Sequence, residues 1–279
     1  MKERVTLTLD SGILSQVDGK VDGYKIKNRS HAIELMILKA LGVHVPKRAI
    51  ILAGGKGTRL RPITYEIPKA LIPVHGRTLT EHLFDLFKKF EVREIILSVG
   101  YLRNKIMDHF GDGSKFGVSI SYVEEEDELG TAGPLRLAKH LLTETFLVSN
   151  GDELKKVNIE AMYALHKEKN ALATIALTTV NNPSLYGVAK LSGSNILEFV
   201  EKPKADEAPS NLINSGLYIL EPQVIDLIPK GFAMLEKDVF PKLADTGRLI
   251  GYPFSGQWFD TGNIQRYERA LKEWVDIKT

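Results

Sequence analysis

The 279-residue chain contains no cysteine. That excludes disulfides, thiolate zinc sites and a cysteine nucleophile, and it fits the cytoplasm, the expected location. Charge of one sign is scarce as well: 37 Lys and Arg oppose 35 Asp and Glu, a net of +2. No apolar run approaches the roughly 18 residues that a membrane-spanning helix needs, so no membrane partner is expected. The opening Met1-Lys2-Glu3-Arg4-Val5-Thr6-Leu7-Thr8 lacks the apolar stretch of a secretion signal. What is present is ordinary for a globular protein: 43% of residues are apolar, which excludes disordered and collagen-like classes. At roughly 100–200 residues per domain, the length suits one large domain or a large one with a small companion.

The small net charge is unevenly placed. Residues 1–45 carry seven cations (Lys2, Arg4, Lys20, Lys25, Lys27, Arg29, Lys39) and five acids (Glu3, Asp10, Asp18, Asp22, Glu34), a net of +2. Residues 46–279 therefore hold 30 of each sign and are neutral. The first segment alternates Val5, Leu7 and Leu9 with Arg4, Thr6 and Thr8, the pattern of a half-buried strand. Asp10-Ser11-Gly12 starts a short helix with Ile13, Leu14 and Val17. Asn28-Arg29-Ser30 then precedes an apolar helical run, with Ser30 as N-cap and Glu34 in the first turn. Leu35 and Leu38 make that run apolar almost all round, as in a helix at the centre of an interlocked dimer.

Strand, short helix, glycine turn and capped apolar helix together resemble the ribbon-helix-helix family of DNA-binding modules. The resemblance implies that two copies pair their strands, giving a homodimer or higher homo-oligomer through residues 1–45. It also implies that Lys2, Arg4, Thr6 and Thr8 face the DNA major groove, with DNA as a candidate partner. About 45 residues do not easily bury an adequate core alone, which favours pairing independently. The competing reading is a dimerisation handle without DNA binding.

From Lys47 onward the pattern becomes α/β. Arg48–Ala53 is a short, near-continuous apolar run, as in buried parallel strands. Helix is expected over Thr78–Phe90, Leu102–Phe110, Thr131–Leu142, Ile159–Lys169, near Glu236–Asp245, and from Ile264 to Ile277. Strands are expected at Glu94–Val99, Val118–Val123, Phe146–Ser149 and Ala171–Val180. A hairpin follows at Gly187–Leu191 and Asn195–Glu201, and another strand at Ile213–Leu220. This alternation implies a doubly wound, mostly parallel sheet over residues 46–279.

The strongest motif follows the first strand: Leu52-Ala53-Gly54-Gly55-Lys56-Gly57-Thr58-Arg59-Leu60. Glycines at a strand's C-terminal end let backbone N–H groups approach a phosphate. The motif is not the dinucleotide G-x-G-x-x-G, which needs glycine where Leu60 stands, and G-x-x-x-x-G-K-[ST] has no match. A short step later, Pro68-Lys69 adds an ammonium to the guanidinium of Arg59. Further elements come in order: Glu128-Leu129-Gly130-Thr131-Ala132-Gly133, Asn150-Gly151-Asp152, Tyr186-Gly187-Val188, Glu201-Lys202-Pro203, Asn214-Ser215-Gly216 and Trp258-Phe259-Asp260-Thr261-Gly262.

This ordered set, from about Arg48 to Arg269, resembles the sugar-1-phosphate nucleotidylyltransferases, the synthases of NDP-sugars. The resemblance implies a nucleotide-diphospho-sugar transferase-like fold with an NTP and a sugar-1-phosphate as substrates and Mg²⁺ as cofactor. Arg59 and Lys69 would hold the triphosphate, and Asp152 and Asp260 would share the Mg²⁺; Arg59, Lys69 and Asp152 form the catalytic set. Leu52, Ala53, Gly54, Gly55, Gly57, Thr58 and Gly130 would bind the nucleotide. Gly187, Glu201, Lys202 and Asn214 would bind the sugar phosphate. Residues 129–135, 186–188 and 200–203 most resemble mannose-1-phosphate guanylyltransferases, which points to GTP and mannose-1-phosphate. Glucose-1-phosphate thymidylyl- and uridylyltransferases share nearly all of these motifs, although the left-handed β-helix of many mannose-type enzymes is missing. A DNA-binding regulator built on a transferase-like domain is the alternative of another class. The acid run Glu124–Glu128 reads as a solvated loop except for Glu128. His75, His82, His109 and His166 lack metal-ligand spacing.

Overall fold

The computed structural model describes residues 5–21, 26, 28–40 and 45–276. The chain divides into two compact units, Met1–His44 and Val45–Thr279. Among the described residues, no helix is long and apolar enough to cross a membrane.

The first unit holds α1 (Ser11–Asp18) and α2 (Arg29–Ala40). Asp10 caps α1, its Oδ1 accepting from Gly12 N–H at 2.8 Å. The cap of α2 is not Ser30 but Asn28, whose Oδ1 accepts from His31 N–H at 2.9 Å. The helix thus begins at Arg29, two residues earlier than the serine cap implies, and Glu34 falls outside its first turn. Arg29 forks onto Asp18 through two bonds of 2.7 Å, joining the two helices. The strand expected around Val5, Leu7 and Leu9 is not formed in the single chain, where residues 5–10 have no regular structure and are exposed. An isolated strand has no partner for its N–H and C=O groups and is not stable alone. Thr6 and Thr8 lie in this segment, whereas Lys2 and Arg4 are outside the described residues.

The second unit begins with β1 (Arg48–Ala53), α3 (Ile63–Glu66), β2 (Pro73–Val74), β3 (Arg77–Thr78), α4 (Leu79–Lys88) and β4 (Glu94–Val99). It continues through α5 (Arg103–Phe110), β5 (Ser119–Glu124), α6 (Gly133–Leu137), β6 (Phe146–Asn150), β7 (Glu153–Lys155) and α7 (Ile159–Glu168). Next come β8 (Ala173–Thr179), β9 (Gly187–Ser192), β10 (Asn195–Glu201) and β11 (Leu212–Leu220). α8 (Phe240–Asp245), β12 (Leu249–Pro253), β13 (Trp258–Asp260) and α9 (Ile264–Glu273) complete it.

Nine strands form one sheet in the order β5-β4-β1-β6-β11-β8-β12-β10-β9. The run β5-β4-β1-β6 is parallel, and so is β8–β12. The sheet is nonetheless mixed rather than mostly parallel. β11 enters reversed between β6 and β8, and β9–β10 is a tight hairpin whose two-residue turn forces antiparallel pairing. Alternate residues of one strand feed opposite cores: Ile50 with Ile96 and Val148 on one face, Ile51 with Leu97 and Leu147 on the other. Burial on both faces explains why these strands read as continuous apolar runs.

Two expected helices are broken. The 131–142 segment forms α6 and then a separate 3₁₀ turn at Lys139–Leu141. The 236–245 segment starts as a wide π-helical turn, Leu235–Val239, before α8. Pro241, lacking an N–H, cannot continue the hydrogen-bond ladder there. α9 stops at Glu273 because Trp274 turns extended and buries its ring beside Leu79 and Leu154 in a third, smaller core.

Candidate active site

The C-terminal ends of β1, β5 and β6 meet at one edge of the sheet, where ligands of open α/β sheets bind. The register pairs Leu52 with Asn150, so the glycine loop after β1 and the Gly151-Asp152 turn after β6 lie side by side. Gly151 N–H donates to Leu52 C=O at 3.0 Å, and a Cβ on Gly151 would stand 2.7 Å from that oxygen. Gly57 takes φ +60° and starts the 3₁₀ turn Thr58–Leu60, with Thr64 Oγ1 donating to its carbonyl at 2.8 Å. A cavity of about 350 Å³ opens over this edge. Leu52, Ala53, Gly54, Gly55, Lys69, Gly130 and Asp152 line it, as do Glu125, Thr131, Asn150 and Phe232. Gly130 has to be glycine, because φ is +75° and a Cβ would lie 2.3 Å from Ala233 C=O.

Lys69 Nζ donates to Asp152 Oδ2 in a close ion pair. Burial raises the Asp152 carboxyl, but Lys69, with Lys155 and Arg59 behind it, outweighs burial and holds the group below its usual value. Thr58 and Arg59 are exposed beside the cavity rather than in its wall. The Arg59 guanidinium stands 3.3 Å from where a Cβ on Gly262 would be, which puts it against the Asp260 turn.

Asp260 reaches Asp152 through the short pairing of β13 with β7, and Thr261 closes the junction with its Oγ1 donating to Asp152 C=O at 2.8 Å. Asp260 Oδ2 accepts from Arg266 and from the Tyr186 hydroxyl, the latter at 3.3 Å. Burial and the Asp260 charge push the Tyr186 phenol up to about 12. Among the described residues, no cluster of three or more acids and histidines is gathered in metal-ligating geometry. The oxygens that could hold a cation are the Asp152 carboxylate and Asn150 Oδ1 in the cavity wall, the latter a buried atom without a protein hydrogen bond, and the Asp260 carboxylate outside that wall, which already accepts from Arg266, Tyr186 and Gly262 N–H. That set fits a hard, oxygen-seeking ion such as Mg²⁺ that keeps several waters.

Below the carboxylates lies a buried base plate. Lys155, with a fully buried side chain, donates to Glu153 Oε2 at 2.9 Å and to the carbonyls of Ser215 and Gly216 at 2.8 and 2.9 Å. Burial, with Asp152 and Asp260 nearby, raises Glu153 to about 7 despite Lys155. Neither residue carried a signal in sequence, where Glu153-Leu154-Lys155 reads as ordinary surface charge.

The four sugar-side residues occupy the β9–β10 hairpin and the start of β11. A Cβ on Gly187 would stand 2.4 Å from the Phe199 ring and 2.8 Å from Glu201 Oε2. Glu201 is mostly buried and pairs with the exposed Lys202 ammonium at 3.3 Å. Lys202 sits at φ +51°, which turns its backbone so that its N–H donates to Tyr186 C=O at 3.0 Å. Asn214 is buried, and its amide bonds to Tyr218 Oη and Gly216 N–H. These four do not line the cavity, and neither do Gly57 and Thr58 of the residues expected to bind the nucleotide.

The acid run places two of its members at the cavity. Glu128 lines it while remaining exposed, 4.0 Å from Lys56. Glu125 instead is buried against Gly54, accepting from Ser98 Oγ at 2.7 Å and from Leu129 N–H at 3.3 Å, and burial raises its pKa. A Cβ on Gly54 would overlap its carboxylate at 2.3 Å. The only local hint was its place one residue past a strand end. The pieces together bring a glycine turn, the Lys69 ammonium and the carboxylates of Asp152, Glu125 and Glu128 to one cavity.

The chain is 39% identical over 242 residues to the UTP–glucose-1-phosphate uridylyltransferase of Synechocystis sp., covering 81% of this chain and 62% of that protein. It is also 39% identical over 247 residues to the mannose-1-phosphate guanylyltransferase catalytic subunit beta of Xenopus tropicalis, covering 82% and 68%. The chain thus spans roughly two thirds or less of these curated relatives' length. A crystal structure of UDP-glucose pyrophosphorylase complexed with UDP-glucose matches with a TM-score of 0.72 at 25% identity, covering 81% of this chain and 97% of that one. A candidate glucose-1-phosphate thymidylyltransferase from Bacillus anthracis, solved with a sucrose, matches with a TM-score of 0.77 at 28% identity, covering 83% and 96%. With the nucleotidyl transferase family profile matching residues 48–276, the chain belongs to that family.

Proposed function

We propose that the second unit transfers a nucleotidyl group from an NTP to a sugar-1-phosphate, releasing pyrophosphate, with GTP and mannose-1-phosphate as the pair. The observation that carries this is the Lys69–Asp152 pair beside the glycine loop, at the strand-end edge of a 350 Å³ cavity. A phosphate oxygen of the sugar phosphate attacks the α-phosphorus in line, and the bond to pyrophosphate breaks. Such a step needs positioning and charge neutralisation, with no covalent enzyme intermediate. Arg59 and Lys69 hold the triphosphate and stabilise the departing pyrophosphate. Lys202 meets the sugar's phosphate, while Glu201 and Asn214 meet its hydroxyls. Asp152 and Asp260 would hold Mg²⁺, which when bound supplies charge neutralisation on the phosphates.

Glu125 lines the same cavity as the glycine loop, and the nucleobase is assigned to its side. Guanine offers a carboxylate two adjacent donors, N1–H and N2–H, whereas uracil and thymine offer one donor flanked by acceptors. That complementarity supports GTP. The Synechocystis relative's name supports the competing pair, UTP and glucose-1-phosphate. The test is a matrix of five NTPs against mannose-1-, glucose-1- and galactose-1-phosphate, read by pyrophosphate release. Highest turnover with GTP and mannose-1-phosphate is expected; no turnover in any cell refutes the proposal. Asp152→Ala and Asp260→Ala should each abolish the Mg²⁺-dependent signal, and near-full rates would refute the metal assignment.

Residues 1–45 we assign to pairing two copies, because Val5, Leu7 and Leu9 are exposed at 74, 52 and 37% in a single chain. Strand pairing between copies would cover them and turn Thr6 and Thr8 outward with Lys2 and Arg4. Retention of DNA from the protein's own upstream region at low salt, weakened by Arg4→Ala, would support a DNA-binding role.

A further inference from the structure

A buried chain of hydrogen bonds runs from the nucleotide loop to the sugar side. Thr131, at the cavity wall, donates its hydroxyl to Glu236 Oε2 at 2.5 Å and accepts from Leu235 N–H at 2.9 Å. Glu236 Oε1 accepts from the hydroxyl of Tyr218, which is fully buried on β11, at 3.2 Å. Tyr218 Oη in turn accepts from Asn214 Nδ2 at 2.8 Å, and Asn214 Oδ1 accepts from Gly216 N–H at 2.9 Å. The backbone adds a clamp: Ala132 N–H donates to Ala233 C=O at 2.9 Å, and Ala233 N–H to Leu129 C=O at 3.0 Å.

We propose that Glu236 is a positioning residue that sets the proton direction along this chain, coupling the Gly130–Thr131 nucleotide loop to the Asn214 amide of the sugar subsite. The inference rests on the nucleotidyl-transfer reading above. Burial raises the Glu236 carboxyl, while Thr131 and Tyr218 favour its ionised form; in that form it only accepts, so both hydroxyls point their hydrogens at it. Tyr218 then presents a lone pair, not a hydrogen, to Asn214. With Gly216 N–H fixed by the backbone, the amide has one orientation: Oδ1 toward Gly216 and Nδ2 toward Tyr218. Its second N–H is left to donate to a sugar oxygen. A shift of Thr131 when nucleotide binds pulls on the same carboxylate that orients this donor. Reversing the Tyr218 hydroxyl would set its hydrogen against Asn214 Nδ2, donor facing donor, and loosen the amide that Gly216 N–H orients.

Glu236→Gln places an amide N–H against one of the two hydroxyls, and Tyr218→Phe removes the middle link without changing the ring. The test is initial-rate kinetics of the full chain with the substrate pair identified by the matrix. Each variant should raise KM for the sugar phosphate about tenfold, the size of one lost hydrogen bond, with kcat changed much less. Thr131→Val should raise KM for the sugar phosphate too, although Thr131 borders the nucleotide, and this third variant carries the test if the first two fail to fold. Sugar-phosphate KM within twofold of the parent chain in the folded variants overturns the coupling. Absence of turnover by the parent chain with every pair overturns the nucleotidyl-transfer reading and the inference with it, an outcome distinct from turnover with unchanged KM.

Discussion

Replacing Lys155 by methionine should destabilise the second unit severely, and the size of the loss follows from four contacts. The ammonium satisfies Glu153 Oε2 and the carbonyls of Ser215 and Gly216, all within 2.9 Å, and lies 3.4 Å from Ser149 Oγ. Methionine keeps the stem and its packing but removes the charge. Glu153 would retain only Trp258 Nε1 and Asn150 Nδ2, both at 3.3 Å; Ser215 C=O would keep only a share of the same Trp258 Nε1, and Gly216 C=O would lose the Lys155 donor. Breaking one side of a buried ion pair costs about 3–5 kcal/mol, much of it the stranded charge. At roughly 2–4 °C per kcal/mol for a domain of this size, the melting temperature should fall by about 6–20 °C. The sign of the pH dependence follows from Glu153. Its folded pKa is already raised to about 7, and losing Lys155 moves it further up while the unfolded value stays near 4.5. The folded variant then holds a proton that the unfolded chain releases, so its stability falls as pH rises through that window. The deficit should therefore be larger at pH 8 than at pH 6, and adding Glu153→Gln should recover a substantial part of it. Circular-dichroism melts in EDTA at both pH values check this. A fall below 2 °C, or a double variant no more stable than the single one, would falsify the base-plate reasoning.

Further outcomes concern other parts of the molecule. Glu125→Gln should lower the GTP-to-UTP ratio of kcat/KM by about tenfold or more, as expected when a site loses an acceptor for two donors; an unchanged ratio would remove Glu125 from base selection. Burial raises Glu221, but His166, Lys167 and Thr145 outweigh it and hold the group at about 2. A depressed carboxylate contributes stability above its unfolded pKa that is lost as pH falls, here up to about 3 kcal/mol. Glu221→Gln should thus melt lower at pH 7, with the gap narrowing from pH 4.5 toward pH 3; a gap constant over that range contradicts the assignment. Deleting residues 1–45 should lower the number of chains per particle in light scattering, and an unchanged number would refute their role in pairing.

The parallel strands were legible because both faces are buried: Arg48–Ala53 and Glu94–Val99 appear in the structure with the bounds read from their apolar runs. The places of the glycine turn after β1 and of Asp152 after β6 were legible for a related reason, since turn glycines and a carboxylate at a strand end leave local marks. Helix continuity was not, because Pro241 and the packing of 129–133 against Ala233 break helices that composition alone would extend. Nor did sequence distinguish Glu125 from the four acids around it. Its burial depends on Ser98 and Gly54, 27 and 71 residues away, which only the folded sheet brings to it.

The local pattern by itself determined the α/β class, the glycine-rich turn after β1 and most strand positions, because burial on two faces and glycine geometry are written within a few residues. Tertiary structure alone decided that β11 runs reversed between β6 and β8. It likewise placed Lys155 beneath the carboxylates, and Glu236 between Thr131 and Tyr218. Each of these rests on partners distant in the chain, whose energies exist only once the sheet has closed around them.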